Sequence, residues 1–305
     1  MDKTAVIIPC YNESLTIGKV IDTVKEKLPH AVIYVYDNNS TDDTAQIAAE
    51  HGAVVRFAAR QGKGNTLQLA FDEVNAECYI TIDGDDAIDL SVLPYFEKAI
   101  VQQGYDMAVG TRGATYFDNE TRRFHGFGNK LVNALVRVFF GKGVNDVMCG
   151  YRAMNYATAK TIQLYTERFE VETELSVRAL NYGLHIQNID VIFRNRPDGS
   201  VSSMDTVKDG MSVLRFIFDY ALGAKAPQVI IGLIAIFVLV ALIAPKSLLT
   251  IWVLPVVILL FFLPIVWAHN KRVRENVKER YEECKKEPYE QTHKHSEYRM
   301  EGETV

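Results

Sequence analysis

Apolar and polar residues alternate in blocks along the first two thirds of the chain, and each block has the length of one secondary-structure element. Short runs rich in β-branched and aromatic residues, such as residues 4–10 and 31–37, predict strands. Between the strands, apolar residues recur at helical spacing over Thr16–Leu28, Asp42–His51 and Asn65–Asn75. This alternation indicates βαβ units. We therefore predict an α/β domain over residues 1–205 with a mainly parallel sheet covered by helices.

The pattern changes at Ala226. An uncharged run, residues 226–245, is followed after Lys246 by a second that ends at Ala268. Each run is long enough to cross about 30 Å of hydrocarbon as a helix. The basic residues that follow predict a cytoplasmic end. We expect a transmembrane hairpin over residues 226–269, although a helical hairpin buried in a soluble core has a similar pattern.

The segments that flank this hairpin differ from each other. Residues 206–225 carry apolar side chains at helical spacing, which predicts an amphipathic helix that lies in a membrane interface or packs on the core. The apolar stretch Leu131–Phe140 is a second candidate for contact with the bilayer. The tail, residues 270–305, is charged and poor in apolar residues, so we expect a solvated cytoplasmic helix that frays into disorder.

Composition restricts the class of protein. With 305 residues, 48% of them hydrophobic, the chain can bury a substantial core and is not a disordered protein. The net charge of −5 gives no reason to expect a nucleic-acid partner. The four cysteines form no CxxC pair, which argues against a zinc site or a disulfide framework. Residues 1–10 show no signal peptide.

Polar clusters follow the predicted strands, where parallel sheets bind their ligands. One cluster places Asp83, Asp85 and Asp86 within four positions, and carboxylates this close repel unless a cation lies among them. Two carboxylates can hold Mg²⁺ or Mn²⁺ when phosphate oxygens complete the coordination. Lys63, with the backbone of its flanking glycines, is available to a phosphate, and Asp37 to a ribose or base. The clusters together predict a site for a metal ion and a nucleoside diphosphate, although each alone also suits a turn or helix cap.

These blocks resemble family 2 glycosyltransferases of the GT-A fold. The motifs are IIPCYNE, YDNNSTDDT, RQGKGNTLQLAF and the Asp-Gly-Asp turn. Later blocks, VGTR, RRFHGFGNK, DVMCGYRAM, RFEVETE and RNRPDGS, resemble the polyprenyl-phosphate glycosyltransferases, such as dolichyl-phosphate mannose synthase and the undecaprenyl-phosphate glucosyl- and N-acetylglucosaminyltransferases. The resemblance covers Thr4 to Leu222. It implies a Rossmann-like sheet and inverting transfer of a sugar from a UDP-sugar, such as UDP-glucose or UDP-GlcNAc, to undecaprenyl phosphate.

The resemblance also implies residue roles. The donor pocket would contain Pro9, Tyr11, Asn12, Glu13, Asp37, Lys63 and Asp83. Asp83 and Asp85 would hold the Mg²⁺ or Mn²⁺ ion. The catalytic residues would be Asp85, Arg112 and Asp146. The acceptor phosphate would meet Arg112, Arg122, Arg123, His125 and Arg152.

Several alternatives stay open. Asp146 is either an active-site group or the partner of Arg152 in holding a loop. In the RFEVETE block, one of the acids Glu170, Glu172 and Glu174 reaches the pocket, or all three serve only the start of a helix. The arginines at positions 194 and 196 either steer anionic reactants or are solvated surface groups.

The expected location is a bacterial plasma membrane, with several crossings, a cytoplasmic catalytic domain and possible association of copies through small residues in the hairpin. One rival hypothesis is a family 2 enzyme with a hydroxyl acceptor, such as a glycolipid or a cell-wall polysaccharide. A second rival is a membrane scaffold that binds a sugar nucleotide without turnover.

Overall fold

A computed structural model describes residues 1–113, 123–194, 197, 206–224, 264, 268, 271–272 and 275–285. Its strands are β1 Asp2–Cys10, β2 Val32–Asp37, β3 Val54–Phe57, β4 Ala76–Thr81, β5 Met107–Arg112, β6 Arg152–Asn155 and β7 Ile186–Val191. Its named helices are α1 Ile17–Lys27, α2 Thr44–Glu50, α3 Lys63–Glu73, α4 Leu93–Val101, α5 Arg123–Phe140, α6 Tyr156–Thr161, α7 Val171–Tyr182 and α8 Thr206–Ala224, with a short 3-10 helix, Leu90–Val92, before α4.

The strands form one mixed sheet in the order β3-β2-β1-β4-β6-β5-β7. β6 runs antiparallel to its neighbours β4 and β5, whereas the other pairs are parallel. The prediction of a mainly parallel α/β sheet is therefore confirmed, with one antiparallel strand that sequence alternation did not indicate. Because β6 is reversed, its first residue, Arg152, pairs with Thr81 near the carboxyl end of β4.

The three predicted helices are confirmed to within two residues at each end. The third, α3, begins two residues earlier than expected. Gly62 precedes it with φ at +123°, a conformation that glycine adopts without a Cβ clash, and the chain turns directly into the helix.

Helix α8 is amphipathic, as expected, and packs one face on the domain. Val213, Ile217 and Ala221 are buried in that face. Two aromatic contacts join α8 to α5, Phe139 with Phe218 at 5.8 Å and Phe140 with Tyr220 at 5.7 Å between ring centroids. Met211 and Leu222 lie exposed on the opposite side, and Phe218, between the two faces, stays 46% exposed beside its contact with Phe139. The helix thus combines core packing with an exposed apolar face, and contact of that face with a membrane stays a prediction.

The expected membrane hairpin lies outside the described residues, except for Pro264 and Ala268. Within the described ranges, no helix is both long and apolar enough to cross a membrane. Residues 275–285 of the tail form a helix with mostly exposed side chains, in line with the expected solvated helix. The exception is Tyr281, which is only 7% exposed because it packs on the domain.

We predict that Ile217→Ala, on the packed face of α8, lowers the free energy of unfolding by about 2–4 kcal/mol, because it deletes buried methyl groups and leaves a cavity. Phe218→Ala, at the neighbouring half-exposed position, is the matched control and should cost roughly 1 kcal/mol. Denaturant unfolding of the full chain in detergent measures both. A larger loss for the Phe218 variant would mean that α8 packs by its other face.

Candidate active site

The polar ends of β1, β2 and β4 meet at one edge of the sheet. Cys10, the last residue of β1, pairs in register with Asp37, the last residue of β2. The turn after β4 crosses the same place, because a Cβ on Gly84 would lie 2.2 Å from Glu13 Oε2 and 2.9 Å from Cys10 Sγ. A larger residue at position 84 would force the Glu13 and Cys10 side chains to shift. The predicted convergence of these strand ends is therefore present.

Lys63 lies between two carboxylates at this edge. Its Nζ is 2.6 Å from Asp83 Oδ1 and 2.6 Å from Glu172 Oε1. Burial by itself lowers the pKa of Lys63, but the two carboxylates outweigh burial and the pKa is raised overall. The ammonium group is thus fixed in its charged form and connects the start of α3 to the acidic turn and to α7.

The turn Gly62–Gly64 packs against a second loop. Cβ atoms on Gly62 and Gly64 would lie 2.2 Å from the Glu167 carbonyl oxygen and 1.9 Å from the Thr166 carbonyl oxygen, respectively. The Gly62 N–H donates to Asn38 Oδ1 at 2.7 Å, and the Gly64 N–H donates to Glu167 O at 2.9 Å. Protein oxygens already occupy these two backbone donors, and a close approach of this turn to a phosphate stays a prediction.

The acids of the RFEVETE block have three different partners. Glu172 pairs with Lys63 at the site. Glu174 is fully buried, accepts hydrogen bonds from the backbone of Tyr165 and Thr166, and pairs with Arg178 at 2.7 Å. Glu170 accepts a hydrogen bond from Ser212 of α8. Of the two interpretations, the one in which an acid reaches the pocket therefore applies to Glu172, while Glu174 holds the loop that supports Gly64.

Asp146 pairs with Arg112 and not with Arg152. The Arg112 Nε and Nη2 atoms donate to its two carboxylate oxygens at 2.5 and 2.7 Å, and the Arg112 backbone N–H donates at 3.2 Å. Asn129 of α5 adds a hydrogen bond at 3.3 Å. This two-pronged pair fixes the guanidinium at the carboxyl end of β5. It brings together two of the three predicted catalytic residues.

Arg152 is completely buried, and its guanidinium bonds to groups of the protein. It donates to the carbonyl oxygens of Cys149, Val147 and Glu172 and to Ser176 Oγ, at 2.7–2.9 Å. Burial lowers the pKa of Arg152. The guanidinium holds the 147–149 loop against α7 and does not reach the surface, so these contacts give no support to the predicted contact with the acceptor phosphate.

The residues expected in the nucleotide pocket occupy the β1 and β2 loops. Asn12, with φ at +56°, accepts a hydrogen bond from the Thr41 N–H at 2.7 Å, and the Tyr11 side chain is 40% exposed beside it. Pro9 lies in β1. Asp37 is 6% exposed, and its Oδ1 atom has no hydrogen-bond partner among the described residues. A buried carboxylate oxygen in this state is suited to accept hydrogen bonds from a ligand.

The side chains of most of the other arginines and of the histidine predicted to bind the acceptor lie outside the part of the chain that the structure describes. Arg122 and Arg196 lie outside the described residues, and so do the side chains of Arg123 and His125. Arg194 pairs with Asp89 at 2.7 Å on the surface. The expected phosphate contacts of Arg122, Arg123 and His125 stay predictions.

The acidic turn fits a divalent cation that brings its own phosphate ligands. No cluster of three or more His, Cys, Asp or Glu side chains that could hold a metal occurs in the described part of the chain. Gly150 packs closely beside the turn, since a Cβ there would lie 3.1 Å from Asp83 Oδ2 and 2.9 Å from Lys63 Nζ. Two hard carboxylates in one turn, Asp83 and Asp85, are ligands of the kind that Mg²⁺ or Mn²⁺ takes when phosphate oxygens complete the coordination.

Comparison with known proteins identifies the family. The model described as Glycosyl transferase family 2 matches residues 5–162, just over half of the 305-residue chain. The chain therefore belongs to glycosyl transferase family 2. Protein RfbJ of Shigella flexneri is 46% identical over 121 residues, which cover 40% of this chain and 94% of RfbJ. Polyprenol monophosphomannose synthase of Mycolicibacterium smegmatis is 27% identical over 226 residues, 68% of this chain and 84% of that protein. The predicted resemblance to this family and to its polyprenyl-phosphate group is confirmed.

The fold is that of solved GT-A enzymes. Glucosyl-3-phosphoglycerate synthase of Mycobacterium tuberculosis, crystallised with Mn²⁺, UDP and glucosyl-3-phosphoglycerate, superposes with a TM-score of 0.53 at 23% identity, covering 64% of this chain and 73% of that one. At this identity the likeness establishes the fold.

Two residues of the site were missed by sequence reasoning. Asn129, which contacts Asp146, and Asn133, whose Oδ1 accepts from the Val147 N–H at 2.9 Å, lie four positions apart on α5. Asparagines at this spacing share one face of a helix. Two amides on one face of an otherwise apolar helix could have predicted that this face contacts polar groups.

We predict that Gly64→Ala lowers the free energy of unfolding by about 1–3 kcal/mol, because the new Cβ cannot coexist with the Thr166 carbonyl oxygen. Gly210→Ala is the matched control. A Cβ at Gly210, inside α8, meets no atom within 4 Å, so replacing glycine there should stabilise the helix by roughly 0.5–1 kcal/mol. Equal effects in denaturant unfolding would show that the glycine turn does not pack on residues 166–167.

We predict that Asp146→Ala lowers the free energy of unfolding by about 3–5 kcal/mol, because it leaves the largely buried Arg112 guanidinium without its counter-ion. A double-mutant cycle with Arg112→Ala should return a coupling energy of roughly 1–3 kcal/mol. A coupling near zero in urea unfolding would mean that the two side chains do not form the pair described.

Proposed function

We propose that the chain transfers a sugar from a UDP-sugar to a polyprenyl phosphate, with the reaction carried out at the edge formed by Asp37, Asp83 and Asp85. The observation that carries this proposal is the convergence of these three carboxylates with Lys63 in a family 2 glycosyltransferase. UDP is chosen because the solved enzyme with the same fold binds UDP and Mn²⁺.

The donor would lie along the β1 and β2 loops. Tyr11 offers an exposed ring and Asp37 an unpartnered buried oxygen to the nucleoside. Asp83 and Asp85 would hold Mg²⁺ or Mn²⁺ on the diphosphate, where the cation neutralises the charge that grows as UDP leaves. Lys63 is charged and lies against Asp83, so it adds positive charge at the same place.

The acceptor is proposed on chemical grounds and by the name of a relative. Polyprenol monophosphomannose synthase, which matches 68% of the chain, acts on a polyprenol according to its name. A phosphate monoester is already anionic near neutral pH, so its attack needs no general base. In this proposal Asp146 acts by orienting Arg112, which faces the acceptor phosphate, and it removes no proton.

The membrane location is part of the proposal. The two uncharged runs over residues 226–268 are long enough to cross a bilayer. On α8 the exposed side chains Met211, Phe218 and Leu222 form an apolar face, and Arg215 beside it pairs with Asp219 at 3.5 Å. An exposed apolar face with charged neighbours suits the interface of a bilayer. We propose a bacterial plasma membrane with the site on the cytoplasmic side.

We predict that Asp85→Asn lowers sugar transfer by roughly 100-fold or more, because it weakens the hold on the cation that stabilises the leaving diphosphate. Asp86→Asn is the matched control. Asp86 lies in the same turn with φ at +53°, which asparagine tolerates, and its carboxylate pairs with Lys19 on the surface. The rates are measured with full-length protein, labelled UDP-sugars and undecaprenyl phosphate in liposomes. The same assay is repeated with a chelator and with added Mn²⁺.

The chemistry of the product separates the rival functions. An acid-labile, lipid-linked phosphodiester supports the proposal, whereas an acid-stable glycoside would favour a hydroxyl acceptor. Binding of UDP-sugar with no transfer to any acceptor would favour the scaffold hypothesis. Full activity in excess chelator would remove the metal from the proposal.

A further inference from the structure

Residues 275–285 form an amphipathic helical segment that packs on the domain. Val277, Tyr281 and Cys284 recur at positions i, i+4 and i+7 and therefore share one face. Tyr281 is 7% exposed, and Val277 packs against the hydrophobic core. Glu279 and Glu282 are exposed on the other side. A segment whose few apolar side chains all face the domain has the pattern of a docked helix.

Asp106 is the centre of the docking contact. It is 2% exposed and lies directly before β5. It accepts hydrogen bonds from the Tyr281 hydroxyl, from the His185 backbone N–H at 2.8 Å and from Asn155 Nδ2 at 3.2 Å, with Lys285 Nζ at 3.7 Å. Burial alone raises the pKa of Asp106, but these donors outweigh it and the pKa is lowered overall. The tail therefore supplies two of the groups that stabilise a buried carboxylate.

This contact lies at the end of the sheet opposite the candidate site. β5 runs from Met107 to Arg112, and Arg112 reaches the site edge. At about 3.3 Å per residue, a six-residue strand separates the two ends by roughly 17–20 Å. Asn155 is the last residue of the antiparallel β6, whose first residue, Arg152, lies on the site side. The segment is thus too far from the site edge to contact substrate directly.

The helical segment 275–285 follows the two apolar runs in the chain, so its contact is a second attachment of the domain to the apolar region. Both apolar runs lie between α8 and residues 275–285. α8 packs on the domain before the runs through Val213 and Ile217, and the tail packs on it after them through Tyr281. A domain with one attachment can rotate about it. A second attachment holds the domain in one orientation. The tail docks readily because it belongs to the same chain, so its effective concentration at the docking surface is high.

We propose that residues 275–285 are a clasp that docks on the surface of Asp106, Asn155 and His185 of the same chain and fixes the orientation of the catalytic domain relative to the apolar region. The docking itself is independent of the enzyme's reaction. Its consequence rests on the proposed function: the clasp presents the site to an acceptor phosphate held at a lipid surface.

The docking is tested by hydrogen exchange of the full chain in lipid nanodiscs. Tyr281→Ala should speed amide exchange in residues 277–284 by roughly tenfold or more, because local opening of a segment follows the contacts that hold it closed. Tyr281→Phe keeps the ring, loses the hydroxyl bond to Asp106 and should give a smaller increase. Glu282→Gln, on the exposed face, should give none. Exchange in β1 should stay unchanged, which shows that the domain itself remains folded.

The consequence is tested with two acceptors. Tyr281→Ala should slow transfer to polyprenyl phosphate in liposomes by roughly threefold or more, and leave transfer to a water-soluble short-chain isoprenyl phosphate unchanged, because only the first needs a fixed orientation. An equal loss with both acceptors would overturn the orientation role. A wild-type protein that transfers sugar to neither acceptor would refute the proposed function. The hydrogen-exchange experiment would still show whether residues 275–285 dock on the domain.

Two results would overturn the docking. One is fast exchange of residues 277–284 in the wild-type chain, equal to that of Tyr281→Ala. The other is protection that depends on protein concentration, since this would mean that the tail docks on a second copy.

Discussion

The candidate site depends on one buried ammonium group shared by two carboxylates. Lys63 begins α3, Asp83 follows β4 and Glu172 lies in the first turn of α7, so a single charge joins three separate parts of the chain. Removing Lys63 would leave the two carboxylates facing each other without a cation, which is far more costly than the pair is stabilising, whereas removing one carboxylate would leave Lys63 paired with the other. This constraint explains why the surrounding contacts are so specific. Gly62 and Gly64 must lie against residues 166–167, and Glu174 must hold that loop, for the lysine to lie where it does.

The reversed strand β6 has a comparable effect on the other half of the site. It brings the 146–152 loop to the carboxyl ends of β4 and β5, where Asp146 meets Arg112. The two arginines of this region then have different tasks. Arg152 is buried and binds carbonyl oxygens, so it shapes the loop. Arg112 is held at the edge by the Asp146 carboxylate, which in turn accepts a hydrogen bond from the Asn129 amide.

The two ends of the sheet carry different groups of residues. One end gathers carboxylates, Lys63 and Arg112 around the space that suits a metal-bound nucleotide. The other end contains Asp106, which receives hydrogen bonds from loops of the domain and from Tyr281 of the tail. Helix α8 precedes the apolar part of the chain, and it buries one face against the domain and exposes the other. In this glycosyl transferase family 2 chain, the candidate site and the docked tail therefore lie at opposite ends of the sheet.

The sequence determined the local features. Periodicity predicted α1, α2 and α3 to within two residues, because the spacing of apolar side chains depends only on the repeat of each element. The acidic turn and the motif order were likewise readable, since each lies within a few consecutive residues.

The tertiary structure alone decided which distant groups meet. The partner of Asp146 is Arg112 rather than Arg152, Glu172 reaches the site while Glu174 does not, and the charged tail docks through Tyr281. These choices depend on strand order, on the direction of β6 and on which face of each helix is buried. Local pattern contains none of this information, because a buried charge is stabilised by whichever group the packed chain places within hydrogen-bonding distance, however far away that group lies in the sequence.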